Sequence, residues 1–198
     1  MLQLIVFLLS IGLLLILQIK PDYQMEFKIE HGRYIILGSV DGILAILGVV
    51  IGASLSGNPS FVISAAIGGA VALAMTNGAG SYLAEGAVEY GKLSRLEKPL
   101  LRSLENTRLE KDTKKKIRID SITHGGASFI GSLIPILPFV ILKSHQLEWA
   151  VGLSITALAI LGIYSGKIAK QSILVHSVRM VGLGIAIVVA VILLGLER

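Results

Sequence analysis

The stretch RYIILGSVDGILAILGVVIGASLS, residues 33–56, holds one carboxylate, Asp41, and no other charge after Arg33. An ionisable side chain at membrane depth costs roughly 2.5–3.5 kcal/mol on insertion scales, so it is seldom there without a use. The pattern therefore predicts a cation or proton site at Asp41. An alternative is that Ser39 or Asp41 caps a helix that begins at Gly42, near the lipid headgroups.

A second apolar segment, residues 61–84, follows a short uncharged turn at 56–60 that contains Gly, Asn and Pro. Polar residues recur at four-residue spacing near its end and just beyond it, which places them on one face of a helix: Asn77, Ser81, Glu85 and Glu89. Carboxylate and amide oxygens are the ligands that hard divalent cations prefer. We therefore predict a metal site formed by Asp41, Asn77, Glu85 and Glu89.

The two glutamates have a second interpretation. Glu85 and Glu89 are at the end of the apolar segment, where they can lie at the membrane surface. There, Glu89 and Lys92 have the i, i+3 spacing of a surface ion pair on a helix. The spacing alone does not decide between metal binding and this surface pairing.

The composition is that of a membrane protein. Of 198 residues, 54% are hydrophobic and 16% are charged, and the mean hydropathy is +0.79. A water-soluble domain of this length cannot bury so much apolar surface. Cysteine is absent, which excludes disulfides and thiolate metal sites. The four histidines show no metal-ligand spacing.

Hydropathy predicts an all-α membrane protein, with a five-helix transmembrane bundle and one extra N-terminal transmembrane helix. The chain divides into an N-terminal helix (1–20), a polar link (21–32) and a five-helix domain (33–198). For 1–20 the competing interpretation is a signal peptide, but no basic region precedes the apolar run and no small-residue cleavage site follows it. The spans of the domain are 34–56, 61–84, 122–142, 149–166 and 178–196.

The segment 86–121 is short and basic. Between residues 91 and 120 there are ten Lys or Arg and five acids. Leucines recur at roughly helical spacing, which predicts an amphipathic helical extension broken near Pro99. The excess of Lys and Arg places this segment in the cytoplasm and both termini outside. We expect an integral multi-pass protein of the cell membrane, in contact with membrane lipids.

Enzymatic motifs are missing from the sequence. It contains no P-loop, GxSxG or HExxH pattern and no evident nucleophile–base pair, so we predict neither an enzyme nor a cofactor. The lysines at 114–116 lie too close to a membrane span to indicate nucleic-acid binding, although they can attract anionic lipids. This leaves a non-transporting membrane scaffold or lipid-binding protein as the alternative to an ion transporter.

Four stretches of the chain resemble the vacuolar iron transporter family. They are RYIILGSVDGILAILGVVIGAS (33–54), AMTNGAGSYLAEGAVEYGKLSRLE (74–97), ASFIGSLIPILPF (127–139) and SILVHSVRMVGLGIA (172–186). The Asp-Gly pair of the first and the G-x-G-x-Y-L-A of the second are the most specific features. The resemblance covers about residues 33–196 and leaves 1–32 outside.

This resemblance implies a five-helix protomer that forms a homodimer and carries divalent iron or manganese out of the cytosol in exchange for protons. Asp41 matches the aspartate of the family's translocation path. Glu85 and Glu89 fall where family members carry acidic, metal-collecting residues. A carboxylate in the bilayer can hold either a proton or a cation, so the two would compete.

The sequence departs from the family pattern at two places. Asn77 occupies a position where the family commonly has methionine, and an amide oxygen favours harder cations than a thioether does. The cytoplasmic segment of many members is a long acidic domain with repeated E-x-x-E. Here the segment is short and basic, and Glu97, Glu105 and Glu110 do not form that repeat.

Overall fold

A computed structural model describes residues 25–196, which form five helices joined by short turns. They are α1 (Met25–Ser54), α2 (Pro59–Leu100), α3 (Arg108–Ile141), α4 (Gln146–Ile168) and α5 (Ile173–Leu196). Each of them is long and apolar enough to cross a membrane. This confirms the all-α prediction for the described part of the chain. The predicted N-terminal helix at 1–20 lies outside the described residues.

Helix α1 begins at Met25, so it includes the last part of the polar link expected at 21–32, and it continues unbroken past Asp41 to Ser54. The alternative in which a helix begins at Gly42 is therefore wrong. Backbone N–H groups in a helix interior are bonded to carbonyls four residues earlier, so no side-chain cap is needed there. Asp41 thus lies in the middle of a membrane helix.

The turn between α1 and α2 is capped by Asn58. Its side-chain oxygen accepts hydrogen bonds from the backbone N–H groups of Ser60 at 3.0 Å and Phe61 at 3.4 Å. Pro59 occupies the start of α2, where its missing N–H costs nothing. The tight turn predicted at 56–60 is confirmed, and it makes α1 and α2 antiparallel neighbours.

Two helices are much longer than a bilayer requires. Helix α2 has 42 residues, or about 63 Å at 1.5 Å per residue, against about 30 Å of hydrocarbon. Its end at Leu100, just after Pro99, is followed by Leu101 in the left-handed conformation (φ 49°). Helix α3 starts at a Thr107 cap and packs against α2. The predicted extension is thus helical, and its helix ends next to Pro99 as expected; that it is amphipathic stays a prediction.

Helix α3 is the centre of the bundle. In its most apolar stretch of 18 residues, 50% are buried, compared with 6% in the corresponding stretch of α5. Helix α3 packs against α1, α2 and α4. It runs through Pro135 and Pro138 without ending. An apolar core of residues from four helices surrounds its outer half: Ile46, Val50, Val62, Ala66, Ala70, Ile136, Phe139 and Ala150. The buried polar residues in its membrane span, His124, Ser128 and Ser132, therefore face other helices.

Candidate metal site

A group of hydrogen-bonded polar side chains joins α1, α2 and α3. The Asn77 side-chain amide donates hydrogen bonds to Asp41 Oδ2 at 3.2 Å and to Ser128 Oγ at 2.8 Å. Ser128 is completely buried (0% exposed). Asp41 and Asn77, which the sequence predicts as partners in one site, therefore meet. Because the amide nitrogen makes this hydrogen bond, the side-chain oxygen of Asn77 and the remaining lone pairs of the Asp41 carboxylate stay available as acceptors or metal ligands.

Glycines on α1 explain why these side chains can meet. A Cβ atom on Gly42 would lie 2.1 Å from the Ser128 carbonyl oxygen, and one on Gly38 would lie 2.5 Å from the His124 carbonyl oxygen. Only glycine permits so close an approach of two helix backbones. The Asp41-Gly42 pair thus combines the carboxylate with the residue that lets α3 pack beside it.

His124 lies one helical turn from Ser128, toward the Lys/Arg-rich extension. It is 8% exposed, and its Nδ1 atom is hydrogen-bonded to Ser81 Oγ. Its ring centroid is 5.7 Å from that of Tyr34. Ser81, from the polar face of α2, is therefore brought to α3 rather than to Asp41.

Glu85 lies a further turn along α2 and contacts the beginning of the α1 membrane span. It accepts a hydrogen bond from the Tyr34 hydroxyl, and the Arg33 guanidinium is 3.1 Å from the same carboxylate. Tyr34 itself is buried, whereas the Arg33 side chain is largely exposed. Glu85 is thus held by a cation and a phenol at the edge of the bundle, apart from the Asp41–Asn77 pair.

Glu89 lies between two lysines beyond the apolar part of α2. Its carboxylate is 2.7 Å from Lys92 Nζ and 3.4 Å from Lys116 Nζ. The hydrogen bond from Lys92 is the main cause that lowers the pKa of Glu89 below its ordinary value, with a further contribution from the Lys116 charge. The ion pair with Lys92 is the surface pairing that the spacing allowed, and it keeps Glu89 ionised.

A cavity of about 940 Å³ lies between these two glutamates and the ends of α1, α3 and α4. Charges of both signs line it, together with Tyr34 and several apolar side chains: Arg33, Glu85, Glu89, Lys92, Lys116 and Asp120. We call this cavity the vestibule. It is shared by Glu85 and Glu89, whereas Asp41 lies two helical turns deeper in the bundle.

We use the term polar seam for the line of side chains between this cavity and Asp41, which consists of Tyr34, Asp41, Asn77, Ser81, Glu85, His124 and Ser128. The seam runs between α1, α2 and α3 of one chain. Within the described residues, no group of three or more His, Asp or Glu side chains is placed to bind one metal ion. The four predicted metal-site residues form two levels, Asp41 with Asn77 and Glu85 with Glu89.

Helix α3 contributes His124 and Ser128 to this seam, and neither is among the predicted site residues. His124, Ser128 and Ser132 recur at four-residue spacing in the third span, which places them on one helix face. That spacing was available as a signal. A serine in a membrane helix usually bonds the carbonyl one turn earlier, as Ser128 does to His124, so its presence alone does not indicate a site.

The fold and the seam define a multi-pass membrane protein with a carboxylate held inside its bundle. A family model described as VIT family matches residues 100–196. Over 161 residues the chain is 35% identical to Uncharacterized protein MJ0645 of Methanocaldococcus jannaschii, covering 79% of this chain and 84% of the relative. The chain belongs to the VIT family, the vacuolar iron transporter family of membrane metal-ion transporters.

Proposed function

We propose that this protein moves divalent iron or manganese out of the cytosol in exchange for protons, and that it does so as a homodimer. The observation that carries the proposal is the environment of Asp41. Its carboxylate accepts a hydrogen bond from an uncharged amide and, among the described residues, it forms no ion pair. A carboxylate inside a membrane helix with neutral oxygen donors beside it suits a dehydrated divalent cation.

The vestibule supports a direction of movement. Glu85 and Glu89 line the cavity on the side of the Lys/Arg-rich extension, which the charge distribution assigns to the cytosol. Their counterions are side chains near or at the surface, such as Lys92 and Arg33, and surface ion pairs contribute little free energy. A cation arriving from the cytosol can therefore exchange with those counterions before it reaches Asp41.

Two protomers would complete the ligand set. One chain supplies a single carboxylate and one amide at the deep level, and a divalent cation normally takes six or more oxygen ligands. In the most apolar stretch of α2, only 17% of the residues are buried within one chain. Gly68 and Gly80 on this helix have no atom within 4 Å of a Cβ position, so a second α2 could approach closely there.

The test is uptake of Mn²⁺ and, under anaerobic conditions, Fe²⁺ into proteoliposomes with and without a pH gradient. We expect metal-dependent uptake that the gradient accelerates, with proton movement in the opposite direction. Metal uptake that is indifferent to the gradient would remove proton exchange from the proposal. The absence of uptake for any divalent cation would remove transport itself.

The scaffold alternative makes a different prediction about the lysines at 114–116. In the structure Lys114 pairs with Glu110 at 2.6 Å and Lys116 pairs with Glu89 at 3.4 Å, so two of these cations are already engaged. A transporter should tolerate the triple change to glutamine with a modest loss of uptake. A lipid-binding scaffold should lose its function with that variant and retain it with Asp41→Asn.

A further inference from the structure

The imidazole of His124 has one buried nitrogen without a hydrogen-bond partner in residues 25–196. The residue is 8% exposed, and its Nε2 atom has no hydrogen-bond partner among the described residues. Buried polar atoms are nearly always paired, so an unpaired one requires an explanation. In this chain it lies in the polar seam, between the vestibule and Asp41.

The other ring nitrogen determines what Nε2 can do. Nδ1 is bonded to Ser81 Oγ. If Nδ1 carries the proton and donates to Ser81, Nε2 has a free lone pair that points into protein rather than water. Histidines that bind metals almost always hold their second nitrogen in this way, with its N–H on an oxygen acceptor that fixes the tautomer and the ring orientation.

The surroundings of the ring favour a cation. Ser128, one turn further along α3, shares the amide of Asn77 with Asp41. His124 therefore lies on the same face of α3 as the serine that is hydrogen-bonded to the amide partner of Asp41, one helical turn before it. Gly38, packed on the His124 carbonyl, keeps α1 close at this level.

We infer that His124 Nε2 is a metal ligand on the path of the ion, next to the Asp41–Asn77 pair. This inference rests on the proposed function and deepens it by naming the substrate class. Oxygen ligands suit Mg²⁺ and Ca²⁺ as well as Mn²⁺, whereas imidazole suits iron and zinc. One nitrogen ligand would let the site reject the abundant alkaline-earth cations.

The direct test uses Co²⁺ as a spectroscopic probe on the full chain, purified in detergent without a histidine tag. X-ray absorption of protein with less than one equivalent of Co²⁺ should show imidazole scattering in the wild type. That signal should disappear in His124→Gln. It should remain in His176→Gln, the matched control, because His176 is bonded to Gln171 and Ser165 at the ends of α4 and α5.

A second variant covers the possibility that His124→Gln does not fold. Ser81→Ala keeps the imidazole but removes the oxygen that orients it. Loss of such a supporting partner typically costs 10–100-fold in metal affinity. We expect Co²⁺ binding to weaken by about tenfold in Ser81→Ala while imidazole scattering persists at saturating metal.

Competition measurements connect this site to transport. In proteoliposomes, Co²⁺ and Zn²⁺ should inhibit Mn²⁺ uptake by the wild type far better than Mg²⁺ does. In His124→Gln the inhibition constants for Co²⁺ and Zn²⁺ should rise at least about tenfold, and that for Mg²⁺ should stay within about twofold.

The outcomes separate this inference from the proposed function. If the wild type transports divalent cations but bound Co²⁺ shows no imidazole scattering, His124 is not a ligand, whatever the variants do. If the scattering is present and depends on His124 but no cation is transported, the binding site stands and the transport proposal fails. An equal loss of affinity for every cation in His124→Gln would indicate a packing role and overturn the inference.

Discussion

Three acidic residues of the bundle, Asp41, Glu85 and Glu89, occupy two different environments. Asp41, deep in the bundle, has an uncharged amide as its partner. Glu85 and Glu89, in the vestibule, are paired with Arg33, Lys92 and Lys116. Among the described residues Asp41 forms no ion pair, so a cation bound at this level would be its counterion. The shallow carboxylates already have counterions and a solvent-accessible cavity.

This difference separates two roles that the same residue type can take. Paired carboxylates near water can attract and release a cation at small cost, because their ion pairs are weak and screened by salt. A carboxylate that is hydrogen-bonded only to neutral groups inside the bilayer supplies the negative charge that a divalent cation needs at that depth. Changes at the deep level should therefore have larger effects than changes in the vestibule.

The largest effect is expected for Asp41→Asn. The change keeps the shape and a hydrogen-bond partner for Asn77 but removes the negative charge. Because loss of a mere supporting residue typically costs 10–100-fold in metal affinity, loss of this ligand should reduce Mn²⁺ uptake by more than about 100-fold. Proteoliposome uptake measures it. Uptake within about threefold of the wild type would mean that the deep carboxylate is not in the path.

Gly42→Ala should come next, through packing. The new Cβ would meet the Ser128 carbonyl oxygen at 2.1 Å, and α1 and α3 would have to separate. Overpacking of this kind costs about 1–3 kcal/mol, so we expect a lower melting temperature in detergent and at least about tenfold slower uptake.

The matched control for this packing effect is Gly52→Ala on the same helix, where the nearest neighbour is Val191 at 3.9 Å. Alanine is the better helix former, so this variant should melt at the same or a higher temperature than the wild type. Equal melting temperatures for the Gly42 and Gly52 variants would show that the close contact does not hold α1 to α3.

Asn77→Met should change which metal is preferred more than how fast it moves. The substitution removes the amide that bonds Asp41 and Ser128 and introduces a soft thioether. Uptake of Fe²⁺ relative to Mn²⁺ should rise by about threefold to tenfold, since Fe²⁺ gains more from softer ligands. The measurement is uptake from an equimolar anaerobic mixture. An unchanged ratio would exclude residue 77 as a ligand.

The smallest effect is expected in the vestibule. Glu85→Gln or Glu89→Gln removes one charge that surface cations already balance, and such pairs contribute about 0–1 kcal/mol. We expect up to about a fivefold rise in KM at low ionic strength, little change in the maximal rate, and a smaller difference at high salt. Glu105→Gln, on the exposed turn beyond α2, is the control. A loss as large as that of Asp41→Asn would contradict the two-level comparison.

Much of the architecture was accessible from sequence. The five membrane helices, the turn at 56–60, the helical extension and its break after Pro99 follow from apolar length, turn residues and helical periodicity. The pairing of Asp41 with Asn77 was also predicted, because polar side chains in neighbouring membrane helices tend to meet in the bundle. Iron or manganese as substrate, proton exchange and the homodimer stay predictions.

The contribution of α3 was not accessible in this way. His124 and Ser128 are separated from Asp41 by more than 80 residues of sequence, and only packing at Gly38 and Gly42 decides that they meet. The same limitation applies to the alternative in which Ser39 or Asp41 caps a helix that begins at Gly42. The local sequence pattern allows such a helix start, whereas the structure shows one continuous helix from Met25 to Ser54.

The sequence by itself determined that this chain lies in a membrane, where its helices run, and that one carboxylate lies within an apolar span, because these properties depend on local hydropathy and helical spacing. Only the tertiary structure decided that neutral groups surround Asp41 and that Glu85 and Glu89 are ion-paired at a separate level. It also decided that His124 Nε2 is buried between the two levels with no hydrogen-bond partner in the part of the chain that the structure describes. Those relations depend on how closely helix backbones approach, which is set by packing between distant segments.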